Sequence, residues 1–142
     1  MRTKLAVEDL GSLLEEPLLA VLATLRRDGS VLLSPVWHEW RDGGFNVWVE
    51  AANVKVRHLR RDPRATIVVA ESEAPLRGLE VRGSVSFIEV GVNEIARRIA
   101  TRYVGEEEAA ADTDALRGAD VIVRLEPGSL RAWDFADEYD AE

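Results

Sequence analysis

LLAVLATLRRDGSVLLSPVWHEWRDGGFNVWVE, residues 18–50, decides the fold class. Its first eight residues, Leu18 to Leu25, are a continuous apolar run of strand length. Asp28-Gly29 follows, a hairpin signal in which glycine accepts the positive φ that a tight turn demands. Val31 to Trp40 reads as a second strand, Asp42-Gly43-Gly44 as a second turn, and Phe45 to Glu50 as a third strand. Three strands joined by two tight turns predict an antiparallel meander.

Upstream, apolar residues at 7, 10, 13 and 14 predict a short helix from Val7 to Glu15, ended by Pro17. Downstream, a helix is expected over Val54 to Arg61, stopped by Asp62-Pro63. ATIVVA, Ala65 to Ala70, is β-branched and apolar and reads as a buried strand. Leu79 to Glu89 alternates, with Leu79, Val81, Gly83, Val85 and Phe87 on one face and Glu80, Arg82, Ser84 and Ser86 on the other. Val92 to Val104 switches to helical spacing. Gly105 to Gly118 is acidic and Ala-rich and reads as a mobile loop. Val121 to Leu125 and Leu130 to Phe135 close the sequence as two strands around Glu126-Pro127-Gly128. The last nine residues, Asp134 to Glu142, hold five acids and read as a solvated tail. About seven strands and few helices predict a mainly β protein, a small antiparallel barrel.

The chain has 142 residues, the size of one domain. Its expected parts are an N-terminal helix within 1–17, a barrel over 18–135 and an acidic tail over 136–142. With 46% hydrophobic and 31% charged residues, the composition excludes wholesale disorder. No apolar run approaches the ~18 residues of a membrane span. No secretory h-region is visible either, so a cytoplasmic location is expected. The absence of cysteine rules out disulfides, thiolate zinc sites and cysteine nucleophiles. A net charge of −8 argues against nonspecific nucleic-acid or membrane binding.

Against that acidic background, residues 55–64 hold five cations, Lys55, Arg57, Arg60, Arg61 and Arg64, and one acid, Asp62. A local cation cluster in an acidic chain suggests a small anionic ligand. Lys55 offers a point charge and Arg57 a fork, while the first free N–H groups of the helix would add donors and Asn53 a cap. For Arg60, Arg61 and Arg64 the expectation is a solvated face paired with Asp62 and nearby acids. The Walker, G-x-S-x-G, G-x-G-x-x-G and H-E-x-x-H patterns are absent. His38 and His58 have no companion at metal spacing, so no metal site is expected. His38 reads as a barrel-lining or interface residue bonded to a neighbour rather than as a general base. Trp37, Trp40, Trp48 and Trp133 each either fill core and edge or serve a subunit interface or planar ligand, with one or two expected in the second role.

A-T-L-x-x-D-G at Ala23 to Gly29, S-P-V at Ser34 to Val36, K-x-R-x-L-x-x-D-P-R at Lys55 to Arg64, and E-V-R-G at Glu80 to Gly83 occur in this order. Together with VIVRLEP and Trp133-Asp134, this set resembles the pyridoxamine 5′-phosphate oxidase-like split β-barrel proteins. Within them it is most similar to the flavin and deazaflavin branch that includes users of coenzyme F-420. The resemblance implies a split antiparallel barrel with peripheral helices, and a homodimer holding the cofactor ring in a groove between subunits. It implies that Ser34, Val36 and His38 line the ring and that Trp48, Val49, Glu50 and Ala51 run beside it. Asn53 and Lys55 would grip the phosphate, with Arg57 joining them. Some F-420 users place a second basic residue ahead of the lysine, where this chain has Asn53. That loss of a cation leaves room for FMN. The basic apparatus and C-terminal arginine segment of true pyridoxamine phosphate oxidases are not recognisable, so that activity is not expected.

The resulting expectation is an oxidoreductase that transfers hydride between reduced coenzyme F-420 and a small conjugated substrate. The cofactor would carry the chemistry, and no catalytic acid–base residue is assigned. The alternatives are an FMN enzyme on the same barrel, a flavin, haem or tetrapyrrole carrier with His38 as axial ligand, and a structural dimer without ligand.

Overall fold

The computed structural model describes residues 1–114 and 120–138. β1 (Ala20–Leu25) and β2 (Val31–Val36) form the expected hairpin, with Gly29 at φ +87° in its turn. β3 (His38–Arg41) and β4 (Gly44–Glu50) form a second hairpin through Asp42 and Gly43, both at positive φ. The meander is not formed. Val31 to Trp40 is two strands broken at Trp37, and β2 does not pair with β3. The sequence has no glycine or turn pair at Trp37 to mark the break.

α1 (Val54–Arg61) and α2 (Val92–Val104) occupy the expected residues. β5 (Arg64–Ala70) alternates buried and half-buried positions, so it is covered on one face only. β6 (Gly78–Ile88) buries Leu79 and Val81 on the predicted face. β7 (Asp120–Leu125) and β8 (Ser129–Trp133) close the fold. The hydrogen-bonded order is β2-β1-β5-β6-β7-β4-β3, with β8 also on β6. β6 serves two sheets: Gly78 to Ser84 pairs with β5, and Val85 to Ile88 pairs with β7. The fold therefore has two bent corners, one inside β6 and one at Trp37, which is the geometry of a split antiparallel barrel. Leu22, Phe45, Val47, Ile67, Leu79 and Leu125 fill its interior.

Three other expectations change. Val7 to Glu15 is two 3₁₀ turns, Val7–Leu10 and Leu13–Glu15, divided by Gly11 at φ +59°. Glu106–Asp114 is a helix, α3, not a loop, while residues 115–119 of that expectation lie outside the described residues. Its apolar pattern is flat and signals no face. Buried Ala109 and Thr113 and the Arg97–Asp114 ion pair at 2.8 Å hold it to α2 instead. The start of the acidic tail is tied down as well. Asp134 is buried and exchanges backbone hydrogen bonds with Arg2, and the Met1 ammonium lies 2.7 Å from Glu138. Among the described residues no helix is long and apolar enough to cross a membrane.

Candidate functional site

The α1 cations separate by what they already hold. Arg60 pairs with Glu89 at 2.9 Å and lies over the Phe87 ring, and Arg61 donates to the Leu25 carbonyl at 2.5 Å. Arg64 forks onto Asp62, its Nη2 at 2.7 Å. Arg60 and Arg64 pair with acids, as expected of them, whereas Arg61 bonds a backbone carbonyl instead of an acid. Lys55 and Arg57 form no ion pair among the described residues. Burial pushes the Lys55 ammonium below its ordinary pKa, and the Glu50 carboxylate pulls it partly back. A cation that has lost part of its hydration gains more from an anionic partner.

The helix itself offers less than the sequence implied. Asn53 caps α1 by accepting the Lys55 N–H at 3.1 Å, and the Val56 N–H goes to the Asn53 carbonyl at 3.0 Å. Two of the first N–H groups are thus already used, so an anion placed here would depend on the Lys55 and Arg57 side chains. His58, on the same helix, anchors it: its Nδ1 lies 3.0 Å from the hydroxyl of buried Thr24 on β1.

The other expected residues reach this point through the Trp37 corner. His38 pairs across to Val47 of β4, next to Trp48, and Glu50 accepts the Asn53 N–H at 2.9 Å in the turn into α1. Ser34 to His38, Trp48 to Ala51 and the start of α1 are therefore consecutive along one path. Their side chains do not share a surface. Val36, His38 and Val49 are buried and face the interior, so contact with a group outside the barrel is through their backbones. Ser34 and Ala51 are half-buried and Glu50 is exposed. Trp48 is half-buried and donates its indole N–H to Asp120 at 2.8 Å.

His38 is wholly sealed, at 0% exposure. The Tyr103 hydroxyl of α2 lies 2.8 Å from the Leu18 carbonyl, which only accepts, and 3.0 Å from His38 Nδ1. The single hydroxyl proton goes to Leu18, so Nδ1 carries the ring hydrogen and donates to Tyr103. Nε2 is left as a buried lone pair without a partner. Burial first, and the nearby Arg102 charge second, lower the imidazole pKa to about 4. The ring is neutral and points inward, where a metal centre outside the barrel cannot reach it.

Sequence reading missed the groups that fix this corner. Arg102 donates to the carbonyls of His38, Leu14 at 3.0 Å and Glu16 at 2.8 Å. Trp37 stacks on Tyr103 with centroids 4.9 Å apart and planes 6° from parallel. Glu39 is buried and receives a bidentate Arg98 at 2.8 and 2.7 Å and the Asn46 amide at 2.7 Å. The adjacent Arg102-Tyr103 near the end of a predicted helix was the visible signal, but its partners lie more than sixty residues away. Among the described residues no cluster of His, Asp or Glu could hold a metal ion.

No curated protein matches the chain by sequence. Among solved structures, a conserved hypothetical protein of Mycobacterium tuberculosis is similar with a TM-score of 0.84 and 23% identity, over 97% of this chain and 90% of that one. A protein described as an F-420 reductase has a TM-score of 0.71 and 29% identity, over 84% of this chain and 93% of that one. HutZ, the haem storage protein of Vibrio cholerae, has a TM-score of 0.69 and 18% identity, over 87% and 92%. The first and third likenesses are of fold. Residues 7–134 match the pyridoxamine 5′-phosphate oxidase family, and the chain belongs to it.

Proposed function

We propose that this protein is an oxidoreductase that binds a flavin-type cofactor, coenzyme F-420 ahead of FMN, with the cofactor phosphate on Lys55 and Arg57. One observation carries the reading: within the α1 cluster the side chains of these two cations alone make neither an ion pair nor a hydrogen bond among the described residues, while Arg60 and Arg64 are ion-paired and Arg61 is bonded to the Leu25 carbonyl. Two unpaired cations suit one phosphate group. Family membership and the 29% identity to an F-420 reductase support the cofactor class. The bound cofactor supplies the hydride chemistry. The chain's own part is to hold the phosphate, to present the backbone of Ser34 to His38 to the ring, and to keep water out. A second copy of the chain covers the β1–β2 half of the open sheet face at Leu19 and Leu33, forming a homodimer that completes the groove. The haem-carrier reading is disfavoured because His38 is sealed.

Parallel titrations with F-420 and FMN, followed by fluorescence, test this. Wild-type protein is expected to bind F-420 more tightly. Lys55→Ala should weaken binding about tenfold, the scale of one lost charge-assisted contact, without moving the unfolding midpoint. If Lys55→Ala binds as the wild type does, the phosphate is elsewhere. If neither cofactor binds, the oxidoreductase reading fails.

A further inference from the structure

A groove of about 530 Å³ opens on the outer face of the sheet that contains β1, β2, β5 and β8. This lies within the ~300–1,000 Å³ usual for small-ligand sites. One wall is apolar, with Leu25 and Val31 at the mouth of the first hairpin. The other carries Arg64, Arg82, Ser84 and Ser129. Register brings them together: Arg64 pairs with Ser84, and Arg82 pairs with Thr66 on one side and Ser129 on the other. Side chains at paired positions stand on the same face of a sheet.

The charge balance of the groove is the reverse of the chain's. Among the described residues no aspartate or glutamate lines it, in a protein with 26 acidic residues against 18 basic ones. Arg64 is committed to Asp62 through Nε and Nη2. Arg82 engages Glu80 through Nε alone, at 3.1 Å, and its terminal nitrogens have no partner among the described residues. The Ser84 and Ser129 hydroxyls likewise make no hydrogen bond among the described residues. A guanidinium edge flanked by two hydroxyls, facing an apolar wall, matches a planar carboxylate on a flat apolar body.

We propose that this groove binds an organic monoanion of that kind, its carboxylate on Arg82, Ser84 and Ser129 and its apolar body against Leu25 and Val31. The site is separate from the phosphate position. Arg61, in the last turn of α1, bonds the groove residue Leu25, whereas Lys55 lies in the first turn of that eight-residue helix. Binding here stands without the cofactor; only calling the anion a substrate rests on the proposed oxidoreductase.

Amide NMR titrations of the full chain with 1-naphthoate and its neutral analogue 1-naphthamide provide the test. Naphthoate is expected to shift Thr66, Arg82, Ser84 and Ser129 and to bind about tenfold more tightly than naphthamide. Arg82→Gln, at a side chain 67% exposed, should keep the fold and abolish that preference. Equal binding of the two probes, a preference that survives Arg82→Gln, or shifts centred on Lys55 and Arg57 would overturn the proposal. Because F-420 and FMN titrations read a different place, either idea can fail while the other stands.

Discussion

The outer faces of the two sheets are finished differently. Over β3, β4 and β7 the face is closed by α2: Ile122 is 0% exposed, and Asn46 and Glu39 are buried with all their polar partners supplied. Over β1 and β2 the corresponding face is bare. Leu33 is 64% exposed, Leu19 58% and Val31 49%. The barrel needs its interior for stability, and both sheets provide that. The 13-residue helix α2 covers one outer face and leaves the apolar residues over β1 and β2 exposed.

The first way to break this contrast is to loosen the cover. Arg98→Ala leaves Glu39 charged, buried and without its bidentate partner, which is expected to cost about 3 kcal/mol in urea unfolding. An unchanged midpoint would mean that α2 is held by packing alone. Acid acts next, at the corner beneath the end of α2. The folded pKa of His38 lies below its unfolded value of 6.5, so the unfolded chain takes up a proton that the folded chain refuses. The stabilisation is complete above pH 6.5 and falls as pH drops toward about 4. At pH 5 about 2 kcal/mol should be missing relative to neutral pH, and His38→Gln should flatten that slope. The smallest effect on stability belongs to the bare face. Leu33→Asp should change the unfolding of the isolated monomer by no more than about 0.5 kcal/mol, because in the single chain that side chain is 64% exposed. In sedimentation it should shift the proposed homodimer to monomer. If it stays dimeric, the second copy sits elsewhere.

The same division explains what could be read in advance. Leu79 to Ile88 and Val92 to Val104 declare themselves, because each buries one face of a regular element and the period shows it. The break at Trp37 does not show, since it is a change of partner with no glycine or turn pair to mark it. α3 escapes for the opposite reason: EEEAAADTD has no periodic face, and contacts with α2 place it. At the candidate site, Lys55 stands out in the sequence as a lone lysine in an arginine-rich cluster, and its side chain makes no ion pair or hydrogen bond among the described residues. The commitments of Arg60 and Arg61 were not, because Glu89 and the Leu25 carbonyl meet them only after folding. The groove around Arg82 was likewise invisible, being assembled by the register of three strands.

The placing of β7 has a consequence for the order of assembly. Both hairpins are local and can form as soon as their own residues are available. The β3–β4 pair, however, has no neighbour on its other side until Asp120 to Leu125 arrives to join it to the far half of β6. Such late, long-range closure slows folding. During synthesis on the ribosome, the β3–β4 hairpin must therefore wait with an unpaired edge while some seventy residues are added. In that interval the nascent chain, rather than the finished protein, is most open to misassociation.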